Sequence, residues 1–190
     1  MSVRALCWFA ACGLLIACEK RESVASQPET PAATVAATDP DPKGLLEVGD
    51  RAPDVTLATH TGQAIELSKL RGSPVVIYFY PKDMTPGCTL QAQELRDNWK
   101  AIKATGAHVF GVSTDDNVSH RAFASAEQLP FLLVSDTEQK LAGAFGVPVK
   151  NGKAKRVTFV IGKDGVITNV FDGVTPKGSA GEVLEALAES

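Results

Sequence analysis

Val75-Val76-Ile77-Tyr78-Phe79-Tyr80, followed by Pro81-Lys82-Asp83-Met84-Thr85-Pro86-Gly87-Cys88, is the stretch on which the fold turns. The first six residues are continuous, β-branched and aromatic, which predicts a central strand buried on both faces. Pro81 ends that strand, because it has no N–H for the ladder. Pro86 and Gly87 close the loop. Thr89 to Lys103 then carries Leu90, Ala92, Leu95, Trp99 and Ile102 at roughly helical spacing. Cys88 is therefore expected to open a helix just after a buried strand, a junction that can make an ordinary thiol a nucleophile.

The flanking sequence supplies the rest of a sheet. His108 to Ser113 reads as a second strand, Asn117 to Glu127 as a helix, Phe131 to Val134 as a third strand and Glu138 to Phe145 as a helix. Strand, helix, strand in that order implies a parallel right-handed crossover. Val157 to Ile161 and Val166 to Val170 flank Gly162 to Gly165, with Asp164-Gly165 as a hairpin signal. Ala180 to Ala188 makes a last helix. Val55 to Leu57 and Ala64 to Leu67, around Thr61-Gly62, suggest a small leading hairpin. The order is that of an α/β, thioredoxin-like fold with a mixed central sheet flanked by helices. Antiparallel pairing of the Val157 strand with the Val75 strand would bring Arg156 toward Pro81 and Cys88.

The chain has 190 residues, 44% of them hydrophobic, enough for one domain with a real core. A net charge of −3 and the lack of a Lys/Arg run give no reason to expect nucleic acid. Met-Ser-Val-Arg, an apolar stretch from Ala5 to Ala17 and then Cys18 have the layout of a secretory signal too short to span a bilayer. Leu15-Ile16-Ala17-Cys18 resembles the lipobox of bacterial lipoproteins, so residues 1–17 are expected to be removed and Cys18 to carry the lipid. Several acyl chains, at about 0.8 kcal/mol per buried CH₂, would hold such a protein to a membrane facing the periplasm. Glu19, rather than Asp, resembles sorting to the outer membrane. Residues 18–44 are rich in Pro, Ala, Thr, Ser and acidic residues, which predicts a flexible tether ahead of a domain over 45–190.

Processing changes the cysteine count. Cys7 and Cys12 leave with the signal and Cys18 is acylated, so Cys88 is expected to be the single free thiol of the mature chain. A leftover thiol in an oxidising compartment is either reactive or an intermolecular partner. Reactive thiols have their pKa lowered from about 8.5 to about 3.5–7.5. Two units correspond to about 2.7 kcal/mol. A helix N-terminus contributes about 0.3–1 kcal/mol, rising to about 2 in favourable geometry, so a nearby cation is wanted. Arg96 lies about 12 Å along the helix and points away, and Lys82 sits on a loop. Arg156 is the better candidate. The Thr85 hydroxyl either donates to the thiolate or accepts from a substrate hydroxyl. With the backbone N–H groups at the helix start, these residues fit a small polar molecule whose bond breaks with growing negative charge on oxygen, as a peroxide does.

Pro81-x-x-x-Thr85-x-x-Cys88 matches the peroxiredoxin motif, and Tyr80 to Thr89 resembles the bacterioferritin comigratory protein, or peroxiredoxin Q, branch. Further matches are Leu95-Arg96-Asp97, Gly111 to Asp115, Ser119-His120, Leu129-Pro130-Phe131, Phe145-Gly146-Val147 and Arg156 to Ile161. The resemblance runs from about Val48 to the C-terminus. It implies that Cys88 attacks the terminal oxygen of hydrogen peroxide or an alkyl hydroperoxide and becomes a sulfenic acid. It also implies that Thr85 and Arg156 hold the peroxide, that Pro81 shields the pocket, and that neither metal nor bound cofactor takes part. Many members of the branch carry a resolving Cys five residues after the first, where this chain has Gln93. A one-Cys peroxidase follows as the expectation. Its reductant would be an outside thiol, whether thioredoxin-like, glutaredoxin-like or of low molecular weight, or Cys88 of another copy.

Two other functions fit parts of the pattern. A thioredoxin-like thiol-disulfide oxidoreductase generally needs Cys-x-x-Cys, and Thr85 occupies its first position. A non-catalytic envelope lipoprotein of the same fold would have no need to keep Thr85, Cys88 and Arg156. His60, His108 and His120 fall in separate elements without metal-ligand spacing and read as surface or structural. Lys82-Asp83 reads as a solvated turn, and the Trp99 face of the helix as core.

Overall fold

The computed structural model describes residues 44–189. The signal, Cys18 and nearly all of the expected tether lie outside the described residues. A leading antiparallel hairpin of β1 (Thr56–Ala58) and β2 (Ala64–Glu66) runs through a 3-10 turn (Leu67–Leu70) into β3 (Val75–Phe79). There follow α1 (Pro86–Asp97), α2 (Trp99–Ala104), β4 (His108–Ser113), α3 (Asn117–Ala126), β5 (Leu132–Ser135) and α4 (Lys140–Ala144). A two-residue hairpin of β6 (Val149–Lys150) and β7 (Lys153–Ala154) precedes β8 (Val157–Ile161), β9 (Ile167–Asp172) and α5 (Ser179–Ala188).

The main sheet has five strands in the order β5-β4-β3-β8-β9. β3 pairs in parallel with β4 and antiparallel with β8, so the sheet is mixed and β3 is its centre. Every residue of β3 is buried, which is why its sequence is continuously apolar rather than alternating. Its side chains still separate with a period of two. Val75, Ile77 and Phe79 enter the core shared with the leading hairpin and α4, whereas Val76, Tyr78 and Tyr80 enter the core beneath α1, α3 and α5. Cys88 belongs to the second of these cores.

Two contacts show how closely the sheet is fitted. A Cβ built on Gly111 of β4 would stand 2.5 Å from the Tyr78 hydroxyl, so only glycine lets β4 lie beside the Tyr78 ring. The free edge of β5 is covered by His60, whose N–H donates to Leu133 O at 2.8 Å and whose Nδ1 accepts Leu133 N–H at 3.0 Å. Burial holds the His60 imidazole below its ordinary pKa, which keeps Nδ1 available as an acceptor.

The expected helix from Thr89 to Lys103 is two helices. Asn98, at φ −96° and ψ 8°, turns both its backbone N–H (3.2 Å) and its side-chain Nδ2 (2.9 Å) onto the Glu94 carbonyl, ending α1 there. α1 also begins at Pro86, three residues before Thr89, so Cys88 lies in its first turn rather than opening it; other boundaries move by two residues at most, and the β6–β7 hairpin joins the expected set. It turns at Asn151 (φ 51°) and Gly152 (φ 68°), both left-handed as such a tight hairpin requires.

Candidate active site

Cys88 is the third residue of α1 and is 2% exposed. Arg156 lies one residue before β8. The β3/β8 register pairs Phe79 with Val157, which carries Arg156 to the end of β3 where the chain leaves for α1. Its guanidinium is forked. Nη2 donates to Cys88 Sγ at 3.3 Å while Nη1 donates to Gln91 Oε1. Gln91 is buried one turn beyond Cys88 on the same face of α1, so one helix holds both ends of the fork. Pro176 and Nη2 close over Gly87, where a Cβ would meet them at 3.6 and 3.4 Å. The other two cations considered for Cys88 are engaged elsewhere: Arg96 with Asp97 and Glu127, Lys82 with Asp115.

Thr85 is the N-cap residue of α1, yet its side chain makes no capping bond to the helix start. Its hydroxyl instead donates to Lys82 O at 3.0 Å. A hydroxyl has one proton, so Thr85 Oγ1 is left with its lone pairs and can act on a further partner as an acceptor. Pro81, half-buried, follows Tyr80, whose N–H still pairs with Val112 O at 3.0 Å and carries the sheet one residue beyond β3. Met84 sits at φ 57°, left-handed for a residue with a side chain, and is 55% exposed at the rim.

Of the expected solvated turn Lys82-Asp83, Lys82 is exposed but Asp83 is not. Asp83 is 4% exposed, and its carboxylate accepts Tyr80 Oη–H and Ser119 Oγ–H, each at 2.7 Å, and faces His120 Nδ1 at 2.9 Å. Burial, with Tyr78 and the Asp83 carboxylate alongside, holds the Tyr80 phenol well above its ordinary pKa, so it stays a donor. The Asp83 N–H donates to Asp115 Oδ2 at 2.9 Å, which also accepts Ser113 Oγ–H at 2.8 Å, while Lys82 Nζ donates to Asp115 Oδ1 at 2.9 Å. Burial alone would raise the Asp115 pKa. The Asp83 N–H, Lys82 and Ser113 outweigh it and hold this carboxyl below its usual value.

The structure therefore brings Cys88 and Arg156 into contact and places Thr85 at the mouth of the same helix. Gln91, Asp83, Tyr80 and His120 join them without having been singled out for the site. Gln91 had a signal, a polar residue three after Cys88 on a helix; Tyr80, Asp83 and His120 stood within the matched segments but with no role attached, because their meeting depends on α3 packing beside the loop.

A thiol near a helix start with no N-cap side-chain bond, under a guanidinium, with a hydroxyl that keeps its lone pairs at the N-cap residue is suited to attack on a small oxidant. Residues 48–170 match the model of the AhpC/TSA family. The chain belongs to that family and is a peroxiredoxin. Peroxiredoxin Q, chloroplastic, of Oryza sativa subsp. japonica is 42% identical over 147 residues, covering 76% of this chain and 68% of the relative. Peroxiredoxin Bcp of Bacillus subtilis (strain 168) is 39% identical over 151 residues, covering 76% and 96%. A solved Xanthomonas campestris bacterioferritin comigratory protein, studied for alkyl peroxide reduction, superposes with TM-score 0.69 at 32% identity, covering 77% of this chain and 98% of that one. These relatives place the peroxiredoxin in the bacterioferritin comigratory protein and peroxiredoxin Q branch, as a thiol-dependent peroxidase of thioredoxin-like fold.

Proposed function

We propose that this peroxiredoxin reduces hydrogen peroxide and organic hydroperoxides through Cys88 alone, as a one-Cys enzyme of the bacterial cell envelope. The observation that carries the chemistry is the Arg156 Nη2 to Cys88 Sγ contact of 3.3 Å, which sets a fixed cation on the one thiol of the described residues. The Cys88 thiolate attacks the terminal oxygen of the peroxide. An S–O bond forms as the O–O bond breaks, the leaving oxygen takes up a proton and departs as water or an alcohol, and Cys88 becomes a sulfenic acid. Thr85 Oγ1, its own proton committed to Lys82 O, accepts the peroxide O–H. Arg156 and the N–H groups at the start of α1 meet the charge that grows on the leaving oxygen. Pro81 keeps water from the thiol. The alkyl peroxide reduction studied in the Xanthomonas protein supports organic hydroperoxides as substrates.

The one-Cys cycle rests on the cysteine count and on Gln93. That residue stands five after Cys88, and its amide donates to Glu127 Oε2 at 2.8 Å. An outside thiol then condenses with the sulfenic acid, releasing water, and a second thiol frees Cys88 and leaves as the disulfide. Peptide mapping of the membrane-derived protein after one equivalent of hydrogen peroxide is expected to find Cys88 as a dimedone adduct or in an intermolecular disulfide. An internal disulfide between Cys88 and Cys18 would sink the one-Cys reading. A panel of thioredoxin-like, glutaredoxin-like and small thiol donors then identifies the reductant.

The envelope assignment is supported by the sequence through Cys18, and Glu19 after it favours the outer membrane. Mass spectrometry of the membrane fraction is expected to find acyl groups on Cys18 and a chain lacking residues 1–17. A soluble protein with an unmodified N-terminus refutes the anchor.

A further inference from the structure

We infer that His120 is a positioning residue for the peroxide site, acting through Asp83 on the peptide group that orients Thr85. The inference rests on the reading of Cys88 as the attacking thiolate. His120 is 0% exposed and lies on α3. Its Nε2 stands 3.2 Å from the Val134 carbonyl, which can only accept, so Nε2 carries a proton. Its Nδ1 stands 2.9 Å from Asp83 Oδ2, and that contact also needs a proton between its two atoms. Nδ1 also lies 3.4 Å from Tyr80 Oη, so the ring is held between Asp83, Tyr80 and Val134, and this full pairing suits it to its buried place.

The consequence for Thr85 runs through a single peptide group. The Lys82–Asp83 peptide is planar and rigid, with its N–H and C=O pointing in opposite directions. Its N–H is held by Asp115 Oδ2 at 2.9 Å, and its C=O receives the Thr85 hydroxyl at 3.0 Å. Asp83 ties that peptide to α3 through its side chain, whose partners there are Ser119 and His120. Withdrawing the His120 bond leaves a buried carboxylate short of a donor. Asp83 then shifts, the Lys82 carbonyl loses its aim, and the Thr85 proton is free to turn toward the peroxide.

Two substitutions separate this role from simple core packing. In a side-chain amide, Asn presents its N–H near the position of His Nδ1, and Gln near that of Nε2. His120→Asn keeps the bond to Asp83, and His120→Gln keeps the bond to Val134. Two rates are read on each: oxidation of Cys88 by hydrogen peroxide, which uses Thr85, and alkylation of Cys88 by iodoacetamide, which does not. His120→Gln is expected to lower the peroxide rate about 10- to 100-fold, with alkylation within about threefold of wild type, and His120→Asn, which restores a donor to Asp83, to lose less than His120→Gln in the peroxide reaction. The inference is overturned by a His120→Gln protein oxidised at the wild-type rate, by equal losses in both reactions, or by a His120→Gln protein that does not fold. A wild-type Cys88 no faster with peroxide than a free thiol overturns the peroxidase reading itself, and is told apart because it appears before any substitution.

Discussion

Cys88→Ser is expected to abolish peroxide turnover. The substitution replaces sulfur with oxygen in a site that is 2% exposed, and it leaves Arg156, Gln91 and Thr85 in place. A hydroxyl under these conditions stays protonated, and without a general base beside it oxygen is a poor nucleophile toward another oxygen. Consumption of hydrogen peroxide, followed with excess dithiothreitol, is expected to fall by at least about 10³-fold, to the rate of the reductant alone. Thermal unfolding should shift little, since the volume change is small and the surrounding core is unchanged. Turnover by the variant at the wild-type rate would remove Cys88 from the chemistry and leave the peroxidase reading without its nucleophile.

The second large effect is at Arg156. Its guanidinium makes two directed bonds, one to the sulfur that attacks and one to the Gln91 amide that holds the fork still. Arg156→Ala removes a fixed positive charge from a nearly dry site, the setting in which preorganised electrostatics contributes most to a transition state. The second-order rate of Cys88 oxidation by peroxide is expected to fall about 10²- to 10³-fold. Arg156→Lys retains the charge but has a single ammonium with no planar fork, so it cannot reproduce both bonds in one geometry. Its rate should lie between wild type and Arg156→Ala. Stopped-flow measurement of Cys88 oxidation decides the matter. An Arg156→Ala rate within about threefold of wild type would show that the helix start alone activates the thiol.

The sheet was legible in the sequence because its decisive strand is buried on both sides, and a run such as Val75 to Tyr80 has few other places to go. Arg156 was legible for a related reason: once β3 and β8 are antiparallel, its position follows from pairing. The break at Asn98 was not legible, since an Asn within a helical pattern is common and only its two bonds to Glu94 O reveal a stop. The β6–β7 hairpin carried an Asn-Gly signal at Asn151-Gly152 that its very short strands concealed. Asp83 is the instructive error. A charged residue next to Lys, between prolines, has the composition of a solvated turn, and its burial depends on Ser119 and His120, 36 and 37 residues away. Local pattern cannot report a partner that only tertiary packing supplies.

The register between β3 and β8 also dates the appearance of reactivity during folding. Cys88 and Arg156 are 68 residues apart in the chain, and their meeting requires Phe79 to lie opposite Val157. A slip of one residue would turn Arg156 to the opposite face of the sheet. Helix α1 can form from local contacts, but the strand that delivers the cation arrives only when β8 has docked on β3, a long-range closure that is slow compared with helix formation. A chain caught before that step carries a thiol at a helix start and nothing more. Peroxide reactivity is thus expected to be acquired late, as a property of the finished sheet, and the rate at which Cys88 gains it in a refolding experiment would serve as a clock for the docking of β8.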